Sequence, residues 1–233
     1  MFITTASSHD EAARGADVAV LPVGSFEQHG AHLPLATDAL IASAIASRLA
    51  ADYDLFLLPP VTLGCSHEHA DFPGTVSISS STLAAILGDV LESLAGSDIH
   101  RLAIINAHGG NYVLSHVAQE ANVHARRVVL FPSSKEWDTA REHAGCQTTA
   151  SQDMHAGEGE TSILLDQCPE VVRGSYREAD HRADHRPHLL TLGMGGYTDS
   201  GVIGEPSAAS AEKGRLLLDA FSAQFKDYLD VLR

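Results

Sequence analysis

The chain has 233 residues, 44% of them hydrophobic, and a formal charge of −15. That length suits one α/β domain with a sizeable core, and the acidic balance argues against a nucleic-acid or anionic-membrane surface, either of which needs clustered Lys and Arg. Three scattered cysteines, Cys65, Cys146 and Cys168, suggest no disulfide framework and fit a reducing compartment; Met1-Phe2-Ile3-Thr4-Thr5 shows no charged region leading into an apolar stretch, and no segment is long and apolar enough to span a bilayer, so the expected location is the cytoplasm.

Val18–Val23 is a short apolar run and reads as a strand. Just past its end come Glu27, His29, His32 and Asp38. Residues 38–51 place Leu40, Ile41, Ala44, Ile45 and Leu49 at helical spacing, with Thr37 or Asp38 as the expected cap. Residues 55–58 form a second strand, stopped by Pro59-Pro60. Residues 82–94 are helical behind Ser81, residues 102–105 make a third strand, and residues 112–125 a further helix. Val128–Phe131 is the fourth strand, residues 160–165 begin another helix, and residues 208–232 form a long C-terminal one. Residues 173–204 read as an exposed loop, with a lid or an oligomer contact as the alternative. The alternation of strands and helices predicts a three-layer α/β sandwich, a mostly parallel sheet flanked by helices, within a single domain over residues 1–233.

Ligands of such sheets gather beyond the carboxyl ends of the strands. The segments after the first three expected strands are Glu27 to Asp38, Gly64-Cys65-Ser66-His67-Glu68-His69, and Asn106-Ala107-His108-Gly109-Gly110-Asn111. All three therefore converge on one rim. Imidazoles and carboxylates so packed suit a borderline divalent cation such as zinc, manganese or iron. Glu27 and His29 alternate along an extended segment and can face one site. Asp38, at the turn into a helix, can bridge two cations. His32 serves either as a ligand or as a donor that orients one. The paired glycines after His108 allow close backbone approach, and the helix behind them offers free N–H groups to an oxyanion. Asp153-Met154-His155-Ala156-Gly157-Glu158-Gly159-Glu160 can supply a proton-shuttling histidine, His155, and a further carboxylate, Glu160. His67, Glu68 and His69 fit a supporting cluster, a substrate contact or purely structural hydrogen bonding; Cys65 reads as a small buried residue. Ser66 lacks a Gly-x-Ser-x-Gly elbow, which disfavours a serine hydrolase.

The blocks at Glu27 to Asp38, Gly64 to His69, Asn106 to Asn111 and His155 to Ser162, with Gly201-Val202-Ile203-Gly204-Glu205-Pro206 and Ala211-Glu212-Lys213-Gly214 behind them, resemble the creatininase (creatinine amidohydrolase) family in the family's order. The resemblance implies an α/β sandwich, a centre of two divalent metal ions (Zn, Mn or Fe), often a hexameric homo-oligomer, and hydrolysis of a C–N bond in a cyclic amide, a linear amide or a short peptide. Carried over by motif, Glu27, His29, Asp38 and His108 look like metal ligands, Asp38 bridging. His155 looks like the catalytic acid/base, and Glu160 like a ligand or a supporting catalytic carboxylate. One position departs. Creatinine-cleaving members carry a metal-binding glutamate where this chain has Gly110, so Glu160 is the expected replacement. They also hold the flat ring with tryptophans, and this chain has only Trp137. Members of the His-Gly-Gly-Asn type include a peptidase that trims the precursor of the redox cofactor mycofactocin, which is the alternative substrate reading. A non-catalytic metal-binding regulator is the alternative of another class. A nucleotide-binding protein is disfavoured, since neither Gly-x-Gly-x-x-Gly nor Gly-Lys-Ser/Thr follows a strand.

Overall fold

The computed structural model describes residues 4–233; residues 1–3, where the reading of the N-terminus begins, lie outside them. Four strands, β1 (Val18–Val23), β2 (Phe56–Leu57), β3 (Arg101–Asn106) and β4 (Val128–Phe131), form one sheet in the order β2-β1-β3-β4. Every pairing is parallel, with Val18 opposite Arg101 through Val23 opposite Asn106. The matched register ends β1 and β3 at the same level, so the segments that follow them leave the sheet side by side.

The described helices are α1 (Ser8–Arg14), α2 (Thr37–Tyr53), α3 (Ser80–Ala95), α4 (Val113–Ala121), α5 (Ser134–Ala144), α6 (Glu158–Gln167), α7 (Leu189–Leu192) and α8 (Ala211–Leu232). Strand alternation sorts the core into two halves. Val18, Val20, Ala103, Ile105, Val129 and Phe131 pack with residues of α2, α5, α6 and α8, while Ala19, Leu21, Leu102, Ile104 and Val128 pack with residues of α3 and α4. The result is the expected three-layer sandwich, its sheet wholly parallel. A sheet covered on both faces has no polar side to show, which is why β1 is buried at all six positions.

Several local expectations are corrected. α2 starts at Thr37 behind Ala36, which makes no side-chain cap; Asp38 turns its carboxylate into the rim cluster instead. The hydroxyl that caps α3 belongs to Ser79, not Ser81. α4 ends at Ala121, where Asn122 holds the backbone of Arg127 and Val128. α5, unexpected from the apolar pattern, is opened by a Ser133–Glu136 capping box and closed by Gly145 in the left-handed region. Residues 173–204 are mostly exposed, as expected, but Tyr176, Met194, Thr198 and the closing stretch Gly201 to Gly204 are buried.

Candidate metal centre

Two asparagine-centred links, one at the buried Asn111 and one at the half-buried Asn106, fix the rim. Asn111 accepts from the Cys65 amide and donates to the Gly24 carbonyl and to Asn106 Oδ1, joining the segments after β1, β2 and β3. Asn106 in turn donates to the His108 carbonyl and accepts from the His108 amide. Gly24 has a steric reason: a Cβ there would overlap the backbone of Asp38 and Ala39, so β1 can run directly against the first turn of α2.

Glu27, His29, Asp38, His108, His155 and Glu160 all come together. His29 Nε2 lies 3.1 Å from Asp38 Oδ1 and 4.0 Å from Glu160 Oε1. His108 Nδ1 lies 3.2 Å from both Glu27 Oε1 and Asp38 Oδ2. Two donor sets share one residue: Glu27, Asp38 and His108 in the first, His29, Asp38 and Glu160 in the second. Glu27, His29 and His155 make a third grouping of the same kind. Both Glu27 carboxylate oxygens and Asp38 Oδ2 are buried without a hydrogen-bond partner. Buried carboxylate oxygens are normally satisfied, and a carboxylate with neither donor nor ion costs far more than any fold retains without cause. The donor chemistry therefore fits a pair of cations, Asp38 being common to both donor sets.

Burial works against charge at His29, but the carboxylates of Asp38, Glu160 and Glu27 together outweigh it and raise the imidazole to about 9. His108 is likewise raised well above the ordinary range, burial being overcome by Glu27 and Asp38. Burial and Asp38 push the Glu27 carboxyl up, yet His108 and His69 dominate and bring it down to about 2. Asp38 is also lowered: burial opposes, and His29 and His108 prevail. Glu160 goes the other way, up to about 7, chiefly through burial. His155 is held well below its ordinary value by burial and by the neighbouring His29 and His69.

His155 is oriented by the Gln28 carbonyl, 2.6 Å from Nε2. The Gln28 side-chain amide also approaches Nε2, at 3.1 Å, but its two protons have nearer acceptors in the Gly201 carbonyl and His69 Nδ1. The shorter contact to a carbonyl, which only accepts, assigns the proton to Nε2, and Nδ1 faces Glu27 Oε1 at 3.7 Å. The segment behind it is strained. Ala156, a non-glycine residue, sits at φ +55°. Its amide donates to Glu160 Oε2 at 2.6 Å, and its carbonyl accepts from His32 Nε2 at 3.0 Å. His32 thus joins none of the donor sets and holds the loop that carries His155. Asp153 accepts from the amides of Glu158 and Gly159 at the start of α6 and from Glu205, while the buried Arg141 guanidinium pairs with it at 2.8 Å.

Sequence reasoning missed Gln28, whose amide nitrogen lies 2.9 Å from His69 Nδ1 and 3.1 Å from His155 Nε2. It also missed Arg141 of α5. Gln28 lay in plain view between Glu27 and His29; Arg141 gave no local signal. The cluster opens into a cavity of ≈ 630 Å³ whose further walls include Tyr112, Leu130, Pro132, Trp137 and Leu189.

Acids and imidazoles gathered at the carboxyl rim of a parallel α/β/α sheet define a metal-binding α/β hydrolase. The chain belongs to the creatininase family, whose model, described as creatinine amidohydrolase, matches residues 4–229. A mycofactocin precursor peptide peptidase of Mycolicibacterium smegmatis is 34% identical over 205 residues, covering 84% of this chain and 77% of that protein. A creatinine amidohydrolase of Pseudomonas putida is 26% identical over 232 residues, covering 89% and 86%. A crystal structure of creatinine amidohydrolase superposes with a TM-score of 0.81 at 25% identity over 97% of this chain and 95% of that one. Solved creatininases of the same fold include a manganese form (TM-score 0.81, 23% identity) and a Zn–Zn form (TM-score 0.78, 24% identity), each matched over 97% of this chain and 95% of its own.

Proposed function

We propose that this chain, as a single domain over residues 1–233, hydrolyses a C–N amide bond in a linear amide or short peptide with the help of two divalent cations. The reading is carried by one observation: both Glu27 carboxylate oxygens and Asp38 Oδ2 are buried without a hydrogen-bond partner, and His108 Nδ1 faces Glu27 Oε1 and Asp38 Oδ2. Glu27, Asp38 and His108 would hold one ion, and His29, Asp38 and Glu160 the other. Bound there, a cation pair polarises a carbonyl and supplies a water of lowered pKa.

The protein's own groups do the rest. His155, neutral and with Nδ1 turned to the centre, takes up a proton and returns it to the leaving nitrogen. The Gln28 carbonyl keeps that tautomer in place. Glu160, tied to the Ala156 amide through one oxygen, keeps the other for His29 and its neighbours. The cavity wall seats the substrate away from bulk water.

Two features favour a peptide or bulky amide over a small flat ring. The cavity of ≈ 630 Å³ is far roomier than such a ring requires, and Trp137 is the chain's only tryptophan. The relative that trims a peptide precursor is more similar to this chain than the creatinine-cleaving one. We further propose a cytoplasmic homo-oligomer, in line with the cysteine content and the family resemblance. The test is a panel of short peptides, linear amides and lactams, each assayed with and without chelator. Chelator-sensitive release of an amine from a peptide is expected. Metal-replete protein that turns over nothing in the panel would favour a non-catalytic metal-binding role.

A further inference from the structure

The structure gives Gly110 a steric reason. Its φ lies outside the left-handed region, so backbone freedom does not require glycine. Space does: a Cβ at position 110 would overlap the Glu68 carboxylate, His108 Nε2 and the Cys65 carbonyl. Glu68 comes from the single 3₁₀ turn His67–His69. Its backbone carbonyl is packed beneath Gly193, at φ +63°, where a Cβ would press on it from the other side.

The carboxylate so delivered lies behind His108. Glu68 Oε1 is 3.4 Å from His108 Nε2 and 4.0 Å from His69 Nε2. The Cys65 carbonyl lies 2.9 Å from the same Nε2. Both neighbours of Nε2 can only accept, so that nitrogen keeps its proton and Nδ1 is directed to Glu27 and Asp38. Imidazoles that bind cations commonly carry such an acceptor on the far nitrogen, which fixes ring orientation and strengthens the near nitrogen as a donor.

We propose that Glu68 is a positioning residue that acts beside the Cys65 carbonyl to hold the His108 ring and strengthen it as a donor, and that Gly110 is the space through which it reaches the ring. This rests on His108 being an ion ligand. The carboxylate comes from the loop after β2, and the glycine that admits it lies in the loop after β3.

The experiment strips the protein with chelator and titrates it with Co²⁺ alone, following visible absorption and competition with a chromophoric chelator. Wild type is expected to bind two ions. Glu68→Gln is expected to bind two, one of them about tenfold or more weakly, with an altered Co²⁺ spectrum and an unchanged thermal midpoint in the ion-free form. Gly110→Ala, which drives the carboxylate off the ring, is expected to weaken the same ion; His108→Ala is expected to lose it. Wild-type affinity and spectrum in Glu68→Gln, with one ion lost from His108→Ala, overturns the proposal and leaves the two-ion centre standing. Wild-type affinity in folded Gly110→Ala overturns the role of the glycine. Two tight ions in His108→Ala removes the ligand assignment and this proposal with it.

Discussion

Asp38 is the residue on which the centre turns. Its two oxygens face different imidazoles, His29 at 3.1 Å and His108 at 3.2 Å, so Asp38→Ala is expected to lose both cations by elemental analysis, whereas Glu160→Ala is expected to retain the ion of the Glu27 set. His155 differs in kind. With Nε2 committed to Gln28 and no part in the two sets that share Asp38, His155→Ala is expected to keep two ions and lose about 10²-fold or more in kcat. Loss of an ion from that variant would instead make His155 a ligand, through its grouping with Glu27 and His29. Ala156 carries backbone strain of about 1–3 kcal/mol, held by His32 on one side and Glu160 on the other. Of the residues that come together around the centre, those singled out from sequence declared themselves by type and spacing. Gln28 did not, because an amide between a carboxylate and an imidazole has no chemistry of its own until the fold places it between His69 and His155.

At the scale of elements, the strands were legible because a sheet covered on both faces needs continuous apolar runs. β1 and β4 match their expected bounds. Helix ends were less legible. Ser81 and Asp38 are both capping types, but side-chain direction decides which hydroxyl or carboxylate reaches a free amide, and direction is set by packing. α5 escaped because its buried side includes Glu136 and Arg141, which serve a cap and an ion pair rather than an apolar stripe. The convergence of three strand-end segments was legible from topology alone; the Asn111 link that locks them was not, since it spans 46 residues to Cys65 and 87 to Gly24. Asn111→Ala removes partners from buried backbone groups of two segments and is expected to cost about 2–3 kcal/mol by denaturant titration, with weaker ion retention as the rim loosens. Gly24→Ala is expected to be worse for the centre than for the core, because it displaces the turn that carries Asp38.

At the scale of the whole molecule, ion uptake and stability are linked through protons. In the ion-free protein His29 is raised from 6.5 to about 9 and Glu160 from 4.5 to about 7. A raised histidine contributes stability that is complete below its unfolded value and is lost as pH climbs through the folded one; a raised carboxyl likewise stabilises less as pH rises through its own. Glu27 and Asp38, both lowered, contribute above the ordinary carboxylate range and cease to do so in acid. Ion-free protein should therefore be most stable on the acid side of neutrality and weaken toward pH 9. Cations need the same imidazoles unprotonated, so their affinity runs oppositely. The gap in thermal midpoint between loaded and ion-free protein is expected to widen from about pH 6 to about pH 8.5. At a hundredfold excess over Kd one ion adds about 2.7 kcal/mol, or roughly 5–10 °C for a chain of this size. Calorimetry in buffers of different ionisation enthalpy should detect release of about two protons near pH 7. A constant gap across that range would sink the linkage.

The matched ends of β1 and β3 have a consequence for biogenesis. The gripping side chains are spread from position 27 to position 160, and the last of them stands on α6, which packs against α8 at the far C-terminus. A chain still emerging from the ribosome therefore holds only a partial chelate. With these residues as the ligands, ion binding is expected to be complete only once α6 has packed on α8, at the closing stage of folding.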